Sequence, residues 1–373
     1  MNNKNIVDCL FVVAKSAEKI YQKLSITYSA IEPPTWTLLL AQSIRAVGFN
    51  VKILDANAEN LSKEEILKRI NKVSPKLICF VVYGQNVNAG TTNMSGAIYL
   101  SNYFKENKIN IPISIVGSHV QALPIETLKK EKNIDFVFTN EGVYALRNIL
   151  KLNDFSSNNL IKIRGIAFRN KDKIEITNPE KIVPNDRMDI DLPGYAWDLL
   201  PFKNKPFDLY RAPMWHAEYD FEKRSPYASL QTSLGCQFGC NFCMINILNR
   251  NDNDEIGVAS NYSKMRFWST NFIIKEFDKL ISMGVKTIRI VDEMFLLNPK
   301  YYIPLCEKLA ERNKNDSLRI WSYSRIDTVK RLEILKLVRK AGIKWLALGI
   351  ESGEKSVRLA VDKGKFEEVD VKK

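Results

Sequence analysis

Two blocks of this chain alternate short strand-like runs, largely apolar in the first block, with longer segments that carry a helical apolar stripe. In the first block the apolar runs are "VDCLFVVA", "NVKILDA", "PKLICFVVY", "IPISIVGS" and "DFVFTNE". Strands that are apolar along their whole length are covered on both faces, as in parallel sheets. The intervening segments are helical. "TWTLLLAQSIRAVG" sets Leu40, Ile44 and Val47 on one face and stops at Gly48, and "SKEEILKRINKV" starts with Ser62 as N-cap. "NMSGAIYLSNYFKENK", "IETLKKEK" and "GVYALRNILKL" complete the set.

Five strands and five helices in this order predict an α/β domain over residues 1–152, flavodoxin-like (Rossmann-like), with strand order 2-1-3-4-5. Residues 153–228 break the pattern. "GIAFRNKDKIEITN" reads as a hairpin, and a stretch rich in Pro and aromatics follows. Its aromatic content predicts an ordered linker packed over something. From residue 229 the alternation resumes with "SLQTSLGC", "KTIRIVDE", "SLRIWSYSRI" and "KWLALGIE", each followed by a helical segment. These are four βα units of a β/α barrel, and the sequence stops within a further helix-like pattern. That ending reads as a truncated barrel.

At 373 residues the chain has room for two domains and their cores. No apolar run approaches the ~20 residues of a membrane span, and the N-terminus lacks a signal-peptide cleavage pattern. Cys9 and Cys79 fall in apolar runs, and Cys306 shares an apolar helical face with Tyr302, Leu305 and Leu309. All three read as core thiols of a protein in a reducing, cytoplasmic compartment. The net charge of +13 comes from scattered basic residues, with no basic block or aromatic-interleaved stripe. This argues against nucleic acid and for a solvated surface, with an anionic substrate or an acidic redox partner as the sharper alternative.

The remaining cysteines are concentrated in "GCQFGCNFCMIN", as Cys236-x₃-Cys240-x₂-Cys243. Three readings compete. Structural zinc needs four ligands, and the chain has only two histidines to complete such a set. Core thiols are a poor match to the glycine-rich, polar flanks. An iron–sulfur cubane wants one thiolate per iron, so three cysteines leave one iron open for chemistry.

The spacing, the aromatic Phe242 before the last cysteine and the position after a strand resemble the signature of the radical S-adenosylmethionine (radical SAM) superfamily. The resemblance implies a [4Fe-4S] cluster on Cys236, Cys240 and Cys243. SAM would chelate the open iron and be cleaved to a 5′-deoxyadenosyl radical. It further implies that SAM is held by groups at the C-terminal ends of the barrel strands. These are Asp292 and Glu293 in "IRIVDEMF", Ser324 and Arg325 in "WSYSRID", and Gly349, Glu351 and Ser352 in "LALGIESG", joined by Phe242 in the cysteine loop. A flavodoxin-like domain ahead of such a barrel, with "EPPTWTLLLAQSIRAVGFNVKILDANAEN", "SIVGSHVQALP", "DFVFTNEGVYAL" and the bridge-like "DLPGYAWDLLP", resembles the cobalamin-binding class. That resemblance implies a corrinoid at the C-terminal ends of the first sheet. Its lining would be Tyr83, Gly84, Gly117, Ser118, His119, Glu141 and Gly142.

The histidine motif that ligates cobalt, Asp-x-His-x-x-Gly, is absent: that loop reads "AKSAEKIYQKLS". Histidine ligation from this loop is therefore excluded. His216 is a further candidate for handling substrate or protons, whereas Trp215, Phe267 and Trp268 read as packing residues. The expected activity is methyl transfer from cobalamin to an unactivated carbon of a small molecule, with reducing equivalents from a flavodoxin or ferredoxin. Two alternatives stay open: a radical cyclase, rearrangement or adenosyl-addition enzyme, and a non-enzymatic iron–sulfur protein.

Overall fold

The apolar runs of the first block pair as a parallel sheet. The strands are β1 (Cys9–Val13), β2 (Val51–Asp55), β3 (Leu77–Val82), β4 (Ile113–Gly117) and β5 (Phe136–Phe138), in the order β2-β1-β3-β4-β5. This computed structural model describes residues 6–16, 22–23, 29–83, 87–152, 154–201, 210–212, 226–248, 255–258 and 264–361. The chain divides into two compact units. The first comprises Met1–Ser29, Pro34–Asn204 and Arg250–Ser260, and the second Ala30–Pro33, Lys205–Asn249 and Asn261–Lys373.

In the first unit the helices are α1 (Thr35–Arg45), α2 (Lys63–Val73), α3 (Met94–Glu106), α4 (Ser118–Ala122), α5 (Pro124–Lys130) and α6 (Val143–Ile149). Ser62 caps α2 as the sequence implies: Ser62 Oγ accepts the Glu65 amide and Glu65 Oε2 accepts the Ser62 amide. Such a cap stabilises a helix by about 0.5–2 kcal/mol. One core layer gathers Val12, Phe80, Ile115 and Val137 from the strands with Ile66, Ile70, Ala97, Leu100 and Phe104 from α2 and α3.

The hairpin that the sequence places in a linker belongs to this sheet. Strand β6 (Ile166–Asn170) pairs antiparallel with β5, and β7 (Lys173–Ile176) pairs with β6, which extends the sheet to seven strands. Phe168 and Ala167 are fully buried by that pairing. The chain after the hairpin, to residue 201, also packs on the first unit. Val183 N donates to Glu141 Oε1 at 2.6 Å, and Ala196 N donates to the Leu38 carbonyl. Helix α7 (Met188–Asp191) is held by its last residue. Asp191 accepts from Arg147, Arg187 and the Tyr144 hydroxyl. Burial pushes the Asp191 carboxyl up, but these donors outweigh it and hold it well below the usual carboxylate range.

The second unit carries a parallel sheet of β8 (Tyr227–Leu230), β11 (Thr287–Ile290), β12 (Arg319–Ser324) and β13 (Ile343–Leu348), in sequence order across the sheet. The helices are α8 (Thr270–Ser282), α9 (Pro299–Arg312), α10 (Leu332–Lys340) and α11 (Lys355–Ala360). Ser269 caps α8, which buries Ile273, Phe277 and Leu280; Ile281 is only partly covered. Cys306 is buried on α9 beside Leu305 and Leu309, and Cys9 and Cys79 are buried in the first sheet. "SLQTSLGC" is not one strand. It breaks after Leu230, and β9 (Ser233–Leu234) turns to pair with β10 (Arg266–Phe267). The break occurs where Asp292 takes hydrogen bonds from Thr232 and Ser233.

Candidate functional site

The cysteine loop leaves the C-terminal end of β8, where parallel α/β structures place their chemistry. Gly235 starts it at φ +88°, a left-handed conformation that glycine adopts without cost. Cys236 and Cys240 are buried and Cys243 is partly exposed, and none of the three is in a disulfide. Burial pushes the Cys236 thiol up to about 11; a hydrogen bond from the Phe238 backbone opposes this, and Glu293, Cys243 and Cys240 add to it. Among the described residues no three Cys, His, Asp or Glu side chains converge closely enough to chelate an ion. The donor set nonetheless fits an iron–sulfur cluster: three soft thiols on one loop.

The two carboxylates at the end of β11 differ in occupation. Asp292 is fully engaged, accepting from the Thr232 amide at 2.6 Å, Thr232 Oγ1 at 2.5 Å and Ser233 Oγ at 2.7 Å. Burial raises its pKa against those hydrogen bonds. It fastens the root of the cysteine loop, and Tyr301 adds a hydrogen bond to the Thr232 carbonyl. Glu293 keeps one oxygen, Oε2, enclosed with no hydrogen-bond partner. Burial pushes Glu293 up to about 8; Asp292 adds to that, while Arg266 and the backbone amides of Glu293 and Gly235 oppose it. An enclosed acceptor of this kind could take a cationic donor supplied by a bound ligand.

At the end of β12, Arg325 is 1% exposed, with Nε 3.2 Å from Asp327 Oδ1 and its guanidinium carbon 3.7 Å from the centroid of the Phe238 ring. Ser324 Oγ meets Thr328 Oγ1 at 2.7 Å, and the Ser324 carbonyl accepts the Gly349 amide. Ser352 Oγ accepts the Glu354 amide, the Ser352 carbonyl accepts Arg358 Nη1, and Glu351 is exposed at φ +65°. Phe242 lies exposed on the loop. Trp268 is fully buried and Phe267 packs on Tyr301 at 4.5 Å, both as packing residues. Trp215 and His216 lie outside the described residues. Phe238 and Asn241, within the cysteine motif, were not singled out by the sequence. Their signal was the short gap between ligands, where each residue must fix the backbone.

In the first unit the strand ends carry a second cluster. Tyr83 Oη accepts from Gln121 Nε2 at 2.5 Å, Gln121 Nε2 also reaches the Asn140 carbonyl, and the Trp36 ring stands edge-on to Tyr83. His119 Nδ1 is 3.0 Å from Thr91 Oγ1; burial lowers the His119 pKa, with Lys130 adding to the shift. Gly117 is required sterically, because a Cβ there would stand 2.1 Å from the Val82 carbonyl oxygen. Ser118 is buried tightly against Gly90. Gly142 opens α6 in a left-handed conformation, and a Cβ on it would press on Val116. The Glu141 carboxylate is turned to the Val183 amide, and its carbonyl accepts Trp36 Nε1. It therefore fastens the post-hairpin chain. Gly84 lies outside the described residues. Tyr83, Thr91, His119 and Gln121 thus gather ring, hydroxyl and amide groups at the strand ends.

A sequence model of the B12 binding domain matches residues 21–150, and one of the radical SAM superfamily matches residues 230–370. The chain is 26% identical over 356 residues to an uncharacterized methyltransferase of Pyrococcus horikoshii, covering 93% of this chain and 68% of the relative. It is 23% identical to an anaerobic magnesium-protoporphyrin IX monomethyl ester cyclase of Cereibacter sphaeroides, covering 86% of this chain and 47% of that protein. Its fold is similar to that of OxsB, a cobalamin-dependent SAM radical enzyme solved with aqua-cobalamin and SAM. The TM-score is 0.68 at 16% identity, over 96% of this chain and 46% of OxsB. It is also similar to the radical SAM methyltransferase TsrM of Kitasatospora setae, with a TM-score of 0.63 at 14% identity, over 94% of this chain and 60% of TsrM. The chain thus spans from about half to about two thirds of the length of these proteins. With both domains matched in this order on one chain, it belongs to the radical SAM superfamily, in the class that carries an N-terminal B12-binding domain, whose cofactors are a [4Fe-4S] cluster, SAM and cobalamin.

Proposed function

We propose that this chain carries the cofactor-binding part of a cobalamin-dependent radical SAM methyltransferase that acts on an unactivated carbon of a small molecule. The observation that carries the reading is the enclosed, partnerless Oε2 of Glu293, whose carboxylate is electrostatically coupled to Cys236 on the three-cysteine loop. Cys236, Cys240 and Cys243 would hold the cluster, and Glu293 would take the SAM amino group. Arg325, with Ser324, Gly349, Glu351 and Ser352 around it, would stand along the rest of SAM. When bound, cluster and SAM supply a 5′-deoxyadenosyl radical, and the corrinoid supplies the methyl group. The protein's share is to bind, orient and keep water out. The relative in Pyrococcus horikoshii named as a methyltransferase supports the methyl-transfer reading.

The free, buried Cys9, Cys79 and Cys306 fit a reducing, cytoplasmic setting, with electrons from a small flavodoxin or ferredoxin. Among the described residues no helix is long and apolar enough to cross a membrane.

The test is anaerobic reconstitution with iron, sulfide and hydroxocobalamin. Retained corrinoid is then weighed by mass spectrometry, and 5′-deoxyadenosine and S-adenosylhomocysteine are measured after SAM and dithionite are added. Corrinoid near one per chain, with both nucleosides formed, supports methyl transfer. An intact cluster with 5′-deoxyadenosine but no corrinoid and no S-adenosylhomocysteine overturns it in favour of other radical chemistry.

A further inference from the structure

The cysteine motif spans eight residues, and each gap in it has its own fastening. Between Cys240 and Cys243, the Asn241 amide and side chain both donate to the end of α11, to the Val361 and Ala360 carbonyls at 3.4 and 3.3 Å. Just past the motif, Asn246 Nδ2 donates to the Cys240 carbonyl at 3.0 Å. Between Cys236 and Cys240 the anchor is different in kind: the Phe238 ring lies against the Arg325 guanidinium at 3.7 Å. The backbone carrying that guanidinium is itself fixed. Arg325 follows β12 directly, Asp327 takes its Nε, and Thr328 Oγ1 donates to its carbonyl at 2.6 Å. The arginine is 1% exposed, while the ring is only partly covered.

We propose that Phe238 and Arg325 are a positioning pair for the cluster: the guanidinium at the end of β12 acts through the ring of Phe238 to hold the Cys236–Cys240 arc in place. The inference rests on the radical SAM reading of the three cysteines. A cation held on a ring face in a desolvated setting is worth about 2- to 30-fold in an equilibrium constant. A short arc of backbone carrying two ligands is where that factor is felt, because freedom in the arc must be lost when both thiolates bind. Arg325 is thereby tied to the loop as well as to whatever its remaining donors reach.

The test reads the cluster itself, without turnover. Wild type and the variants Phe238→Leu, Phe238→Tyr, Phe238→Met and Arg325→Lys are reconstituted anaerobically. Iron per chain, the melting temperature and the rate of iron loss to bathophenanthroline are measured in the absence of SAM, followed by the EPR spectrum of the reduced cluster. The expected result is iron loss about 2- to 30-fold faster in F238L and F238M, an altered EPR line shape, and near-normal behaviour of F238Y, which keeps the ring. R325K keeps the charge but not the guanidinium and should resemble F238L. If F238L does not fold, F238M carries the same comparison. Loss rates in F238L, F238M and R325K equal to wild type would overturn the pair. A wild-type chain that takes up no iron would instead overturn the reading of the cysteines, and the pair with it.

Discussion

Glu32 and Arg289, 257 residues apart in the chain, form a buried ion pair within the second unit, and the Tyr227 hydroxyl donates to the same carboxylate at 3.0 Å. Arg289 points to the face of the sheet where Trp321 and Tyr323 stand beside it, 4.6 and 5.2 Å from its guanidinium carbon. Pro33 follows into the same face and accepts from Ser229 Oγ. A four-residue segment just ahead of α1 is thus part of the radical SAM unit.

Breaking this pair should be costly. Glu32→Ala leaves a guanidinium buried without its counter-charge, a loss of about 3–5 kcal/mol. The double variant Glu32→Leu with Arg289→Met should recover most of that, since a packed apolar pair is often no worse than a buried ionic one. Denaturant unfolding followed by tryptophan fluorescence checks both. A single variant within 1 kcal/mol of wild type would show that the pair is not structural.

Glu293→Gln should separate cluster from cofactor. The cysteines are untouched, so iron content should stay near wild type. An enclosed amide is a poorer partner for an ammonium group, so SAM affinity should fall by about 10- to 100-fold. Equilibrium binding of SAM to the oxidised, cluster-loaded protein measures it.

The cysteines should divide cleanly in an iron assay. Cys236→Ala, Cys240→Ala and Cys243→Ala should each lose most of the iron. Cys9→Ser, Cys79→Ser and Cys306→Ser should keep it, at the stability cost of a buried hydroxyl, about 1–3 kcal/mol.

In the first unit, Gly117→Ala places a methyl group 2.1 Å from the Val82 carbonyl oxygen. Strands β3 and β4 must part to admit it, at a cost of about 1–3 kcal/mol. Thermal unfolding of the variant and its corrinoid retention should fall together.

The Asp191 latch gives a pH dependence. Its carboxyl is held below the usual range by Arg187, Tyr144 and Arg147 against burial. A depressed folded pKa stabilises above the unfolded value near 3.9 and is lost as pH falls through the folded value. Asp191→Asn should therefore cost about 3–5 kcal/mol near neutrality, and the gap from wild type should shrink below about pH 4. Urea unfolding across pH reads the difference.

Features that are local or periodic were legible in the residues alone. Apolar runs marked the first parallel sheet and the βα alternation the second, Ser62 announced its helix, and the spacing of Cys236, Cys240 and Cys243 pointed to their chemistry, because each depends on neighbours within a few residues. Tertiary structure decided what depends on contacts between distant segments. It added the hairpin at 166–176 to the first sheet, where the sequence had a linker, since antiparallel pairing with β5 leaves no mark in the hairpin's own composition. It moved Glu32 into the second unit, spent Asp292 on the root of the cysteine loop, and left Glu293 with a free oxygen. Two adjacent carboxylates look alike in sequence, and only their burial and the donors that fold around them set their roles.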